Sequence, residues 1–167
     1  HEQLDGYIFD SGYAHSAFVN TKHGCELKNP VIFIKEYVTL ADIAQPATDA
    51  IKADKPFVVI GQPDEQCLAS LVSNHLNGNG SYCVIVPRQV GHKKRDILAD
   101  ISYVSDNVTK MIIKKGQTII LHNKSLKGYI EKLSNQDTSS KAEKDYQKER
   151  IARLESKVCK IYIGANS

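Results

Sequence analysis

No G-x-x-x-x-G-K-[ST] loop, G-x-S-x-G elbow or G-x-G-x-x-G after a strand occurs in the 167 residues. Phosphate cradling by a P-loop, serine hydrolysis and dinucleotide binding therefore lack their usual groups. Cysteine is sparse and scattered: Cys25, Cys67, Cys83 and Cys159 form no C-x-x-C pair, which gives no zinc site and fits reduced thiols in a reducing compartment. No apolar run approaches the roughly 20 residues of a membrane span, and the start at His1 has no signal-peptide core. Charge is balanced, with 22 basic and 19 acidic residues spread along the chain, so no overall field points to nucleic acid or a membrane. His15, His23, His75, His92 and His122 have no second histidine at i, i+4 and no plausible nucleophile beside them. Surface or core roles suit them better than catalysis, and we expect no catalytic residue and no metal ligand.

What the chain has is the makings of one core, since 41% of its residues are apolar and 25% charged. Val31-Ile32-Phe33-Ile34, Phe57-Val58-Val59-Ile60 and Cys83-Val84-Ile85-Val86 are short β-branched runs of the kind expected for strands covered on both faces. Helical patterns separate them. Thr39 is an N-cap before Leu40, Ile43, Ala44, Ala47 and Ile51, a single stripe in which Pro46 should cost stability or force a bend. A second helix is predicted from about Asp64 to Leu76 and a third from Gly91 to about Ser102. Alternating strands and helices argue for an α/β layered core with mostly parallel pairing and flanking helices. An extra β-hairpin is predicted through Lys114-Lys115-Gly116-Gln117, and a helix from Lys124 to Ser134. Lys141 to Glu155 is strongly charged and should lie on the surface, with Ile151 and Leu154 as its apolar contacts. Lys93-Lys94-Arg95, with Arg88 nearby, opens a helix where the macrodipole disfavours cations and no aromatics are interleaved, so a solvated face is expected rather than a nucleic-acid site.

The segment Phe9-Asp10-Ser11-Gly12-Tyr13-Ala14-His15-Ser16-Ala17-Phe18-Val19-Asn20 fits F-D-x-G-Y-x-x-x-x-F-[IV]-N. This resembles the opening of the apical domain of GroEL-type group I chaperonins. Lys55-Pro56 before a strand, the helix beginning Glu65-Gln66-Cys67-Leu68, and Gly91 through Ile101 resemble further segments of that domain in the same order. So do Glu149-Arg150-Ile151-Ala152-Arg153-Leu154 and Ile161-Tyr162-Ile163-Gly164-Ala165. The resemblance implies an apical, polypeptide-binding domain over residues 1–155, with 156–167 starting the return strand to an intermediate domain.

It further implies an exposed apolar groove that holds unfolded polypeptides or a GroES-type co-chaperonin. Leu40, Ile43, Ala44 and Ala47 of one helix and Leu68, Val72 and Ser73 of the next would line it, with Tyr13, Ala17 and Phe18 adjoining. Mg-ATP would belong to an absent equatorial domain, so the fragment itself would be a monomer without ATPase activity, from a parent built as a heptameric ring. The bacterial cytoplasm or an organelle matrix is the implied location. Departures are specific. Ala17 replaces an aromatic, His15-Ser16 replaces Ser-Pro, Ser73 replaces an apolar residue, and Ala44 and Ala47 stand where larger aliphatics are common. Gly6 matches a hinge glycine, whereas Ser156-Lys157 replaces Gly-Gly, and Ser105 to Met111 is much shorter than in the family. Two rival readings remain beside this one: an interaction module for a dedicated partner, and a small α/β enzyme using His or Lys near the strand ends.

Overall fold

The computed structural model describes residues 3–159. Three parallel strands, β3 (Val31–Val38), β4 (Phe57–Pro63) and β5 (Tyr82–Ile85), lie in the order β3-β4-β5, with α1 (Leu40–Lys52) and α2 (Glu65–Leu76) as the crossovers. Both crossovers step in the same direction across the sheet. Right-handed connection therefore places α1 and α2 side by side on one face, α1 packed on β3 and β4 and α2 on β4 and β5. The runs Phe57 to Ile60 of β4 and Tyr82 to Ile85 of β5 are fully buried, as continuous apolar strands should be, whereas Val31 to Ile34 are only half-buried because β3 is a sheet edge.

The parallel sheet is the smaller of two, which corrects the expectation of a mostly parallel core with one added hairpin. The hairpin, β6 (Val108–Ile113) and β7 (Thr118–His122), is the centre of a five-stranded antiparallel sheet. Its order is β2-β6-β7-β1-β8, with β1 (Gln3–Phe9), β2 (Cys25–Lys28) and β8 (Lys157–Cys159). Strand periodicity sorts its side chains. Tyr7, Phe9, Met111, Ile113 and Ile120 enter the main core, while Ile112, Ile119, Leu121 and Val158 form a second small cluster with Leu4 and Ile8. β8 pairs with β1, so residues 157–159 add a strand to this sheet; the Ile161 to Ala165 motif lies outside the described residues.

Local sequence sets the helix ends. Thr39 and Asp42 form a reciprocal capping box on α1, and Lys35, 2.8 Å from Asp42, together with the Thr39 amide holds that carboxyl below its ordinary range. α1 runs unbroken through Pro46. Asp64 caps α2 through the Cys67 amide at 2.8 Å. α3 (Gly91–Val104) packs against β3 and turns through a single 3-10 turn, Ser105–Asn107, straight into β6. Lys94 on α3 is tied down rather than solvated, 3.2 Å from Glu36 and over the Tyr37 ring. α4 (Lys127–Ser134) and α5 (Lys141–Leu154) complete the chain, α5 resting on α4 and β1.

Candidate polypeptide-binding face

The Phe9 to Asn20 motif joins the two sheets. The Thr118 hydroxyl donates to the Ser11 carbonyl at 2.7 Å, and the Arg88 amide donates to the Ser11 hydroxyl at 3.0 Å. A Cβ on Gly12 would collide with the Lys114 and Lys115 carbonyls, so glycine is required there by close backbone approach. Beyond it, Tyr13 bridges to Ile85 and the Ala14 amide donates to the Val84 carbonyl at 2.7 Å, which occupies the free edge of β5. The chain then folds into a 3-10 turn, Ser16–Phe18, whose first amides are capped by His15: its Nδ1 accepts the Ala17 N–H at 3.0 Å.

That turn overturns one sequence expectation. Phe18, expected on the exposed groove, is 0% exposed, with its ring packed edge-on to His75 at 5.4 Å. Ile43 is likewise core, at 2% exposure, because the α1 stripe turns Ile43 and Ala50 toward the sheet. Leu40 and Ala47 are half-buried against the core, Ala44 is exposed, and Tyr13 and Ala17 are half-buried.

On α2, Cys67 and Leu71 face the sheet, and burial, with Asp64 nearby, pushes the Cys67 thiol up to about 11. The opposite edge of α2 carries a depression of about 560 Å³ lined by Leu68, Val72 and Ser73 together with His15, Glu65, Ala69, Leu76 and Asn77. The structure thus brings together the three predicted α2 residues; α1 residues and Tyr13, Ala17 and Phe18 do not line this depression. His15, Glu65, Ala69, Leu76 and Asn77 are the lining residues that sequence reasoning missed. Leu76 continues the i, i+4 row after Leu68 and Val72 and is 67% exposed, so the signal was present. His15 had none, because its position depends on the cap it makes in the 3-10 turn. Its ionisable lining residues are Glu65, at the start of α2, and His15, whose Nδ1 is engaged by the Ala17 amide, so the depression offers mainly apolar contact.

The three hinge candidates meet at the opposite sheet. The Gly6 amide donates to the Ser156 carbonyl at 3.3 Å, a Cβ on Gly6 would strike the Val158 side chain, and the Lys157 ammonium is ion-paired with Asp5.

No protein-family profile matches the sequence. The chain is distantly similar, at 24% identity over 199 residues, to the mitochondrial 60 kDa heat shock protein homolog 2 of Drosophila melanogaster. The match covers 99% of this chain but 34% of the relative, so the chain spans about a third of that protein's length. Because the matched stretch is 199 residues long and this chain has 167, the relative carries residues here that this chain lacks.

Proposed function

We propose that this domain binds non-native polypeptide on the α1–α2 side of its parallel sheet, as the substrate-holding module of a chaperonin-like protein. The observation that carries the reading is the apolar row on α2, the exposed Leu76 with the half-buried Leu68 and Val72, which lines a depression of about 560 Å³. The distant likeness to a 60 kDa heat shock protein homolog supports a chaperone-type function for this chain. Non-native chains expose apolar surface of no fixed sequence. Each 100 Å² covered is worth about 2.5 kcal/mol, and such contact asks little of the partner's geometry.

A co-chaperonin loop would compete for the same row and so displace the client. Mg-ATP and ring assembly would belong to other parts of the parent, so this chain is proposed to bind without turnover. Among the described residues no helix is long and apolar enough to cross a membrane; an organelle matrix, as the relative's name suggests, or the bacterial cytoplasm is the proposed setting.

The test is binding of several unrelated denatured proteins by the chain and by Leu68→Glu, whose side chain lines the depression. Weaker capture of all of them by the variant, at unchanged thermal stability, supports the reading. Capture of none by the unaltered chain overturns it. The exposed Ala44 and Ser73, small where larger residues are expected, favour one second reading, a dedicated partner; strong binding of one native protein and of no denatured ones would establish that instead.

A further inference from the structure

The turn that ends α2 repeats one dipeptide. Asn77-Gly78 and Asn79-Gly80 follow each other, and no other asparagine of the chain precedes a glycine. An asparagine side chain is electrophilic at Cγ, and a following glycine, having no Cβ, hinders the approach of its own backbone nitrogen least. Both pairs therefore have the groups for an intramolecular reaction, and their surroundings decide which of them can use those groups.

Asn79-Gly80 is pinned. The Asn79 amide donates to the Asn74 carbonyl at 2.8 Å, its side chain to Asn74 Oδ1 at 3.4 Å, and its own carbonyl accepts the Tyr82 hydroxyl at 2.7 Å. Gly80 lies against Tyr82, its Cβ position 2.6 Å from that hydroxyl. Asn77-Gly78 is loose. Both residues are exposed, the Asn77 side chain makes no hydrogen bond among the described residues, and nothing lies within 4 Å of where a Gly78 Cβ would stand. One contact holds the Gly78 nitrogen, its N–H to the His75 carbonyl at 3.2 Å, at a helix end where local opening costs least.

We propose that Asn77 is a self-modification site, converting to aspartate and isoaspartate and so placing a carboxylate on the rim of the α2 depression, which Asn77 lines. Hydroxide removes the Gly78 amide proton; the nitrogen attacks Asn77 Cγ, the N–Cγ bond forms as the Cγ–Nδ2 bond breaks, and ammonia leaves. Water then opens the succinimide ring. Opening at Cγ gives aspartate, and opening at the main-chain carbonyl gives isoaspartate, whose backbone runs through the former side chain. The sum is one water consumed and one ammonia released, with no oxidant and no cofactor. The new anion stands at the C-terminus of α2, where the unpaired carbonyls disfavour it, and beside Leu76, where a covering apolar segment would have to desolvate it. Binding of non-native polypeptide should therefore decline as the protein ages, a consequence that rests on the depression being the client site.

The test is incubation of the full chain at physiological temperature in mildly alkaline buffer, with peptide mass mapping and an isoaspartate assay at intervals. Asn77 should convert roughly tenfold ahead of Asn79, the factor that the two additional hydrogen bonds on Asn79 imply. Asn77→Gln, whose longer side chain closes a less favourable ring, should stay unmodified over the same period. Asn77→Asp should bind denatured proteins about twofold to threefold more weakly than the fresh chain. An intact Asn77, or conversion no faster than at Asn79, overturns the site; conversion with unchanged binding by Asn77→Asp overturns its effect on the depression. Failure of the fresh chain to bind any denatured protein counts against the client reading instead, because the mass map reports the modification alone.

Discussion

Arg150 clasps Asp100 at two points, Nη2 at 2.7 Å from Oδ1 and Nε at 3.1 Å from Oδ2. Asp100 is 1% exposed on α3, and it also accepts the Tyr129 hydroxyl of α4 at 2.6 Å. Tyr146 on α5 donates in parallel to Asp96 at 3.0 Å. Burial and the neighbouring Asp100 raise the Tyr129 phenol well above its ordinary range, keeping it a donor. α5, whose apolar contacts are Ile151 and Leu154, is therefore held on the domain mainly by charge.

Asp100→Ala should cost about 3 kcal/mol, because it leaves the largely buried Arg150 guanidinium with only the longer Asp96 ion pair, at 3.8 Å. Denaturant unfolding gives the total. Hydrogen exchange should show α5 losing protection before the parallel sheet does; uniform loss across the chain would contradict a charge-held helix.

Phe18→Ala should cost about 3–5 kcal/mol, the range for emptying a large core site, and Phe18→Glu should abolish cooperative unfolding. An unaltered midpoint in Phe18→Ala would mean the ring is not packed against His75.

Leu76→Ser should change stability by less than about 0.5 kcal/mol, being an exposed helix-end position, while weakening capture of denatured proteins by roughly 1 kcal/mol, about fivefold. Fluorescence anisotropy with a labelled denatured client reads the second effect.

Stability should fall on acidification below about pH 6.5, the ordinary histidine value. Burial lowers the pKa of His75 and of His122, so the unfolded chain binds protons that the folded chain refuses. Each group's contribution is complete above its unfolded pKa and is lost as pH drops below it. Both rings also accept a backbone amide through Nδ1, from Tyr82 and Lys124, which protonation there would break. His122→Gln should flatten the slope of unfolding free energy between pH 7 and 5 without changing it above pH 8; an identical slope would remove His122 from the account.

Parts of the fold were legible because their causes are local. Thr39 and Asp42 announce α1, Asp64 announces α2, and the four residues between Ile113 and Thr118 announce the hairpin. The antiparallel sheet was not, since its strands pair across long separations, as Gly6 with Leu121, and β2 is four residues with no apolar run. At the candidate face the α2 row was readable from its spacing. Phe18 was misplaced because an aromatic among turn residues gives no sign of which way a 3-10 turn will aim it. Ile43 was misplaced because one helical stripe serves both core and surface, and the boundary depends on how the helix sits on its sheet.

The pairing of β1 with β8 also fixes how the domain answers mechanical load. Gln3 is opposite Cys159, Leu4 opposite Val158 and Asp5 opposite Lys157. Tension drawing the chain apart at Gln3 and Cys159 acts across the strands, so the rungs open singly in sequence instead of resisting together in shear. The Asp5–Lys157 ion pair and the Gly6 to Ser156 bond come last. Once they part, the pull reaches α5, whose grip is electrostatic. Rupture at the β1–β8 pair should therefore come before any loss of the parallel sheet that carries the apolar row.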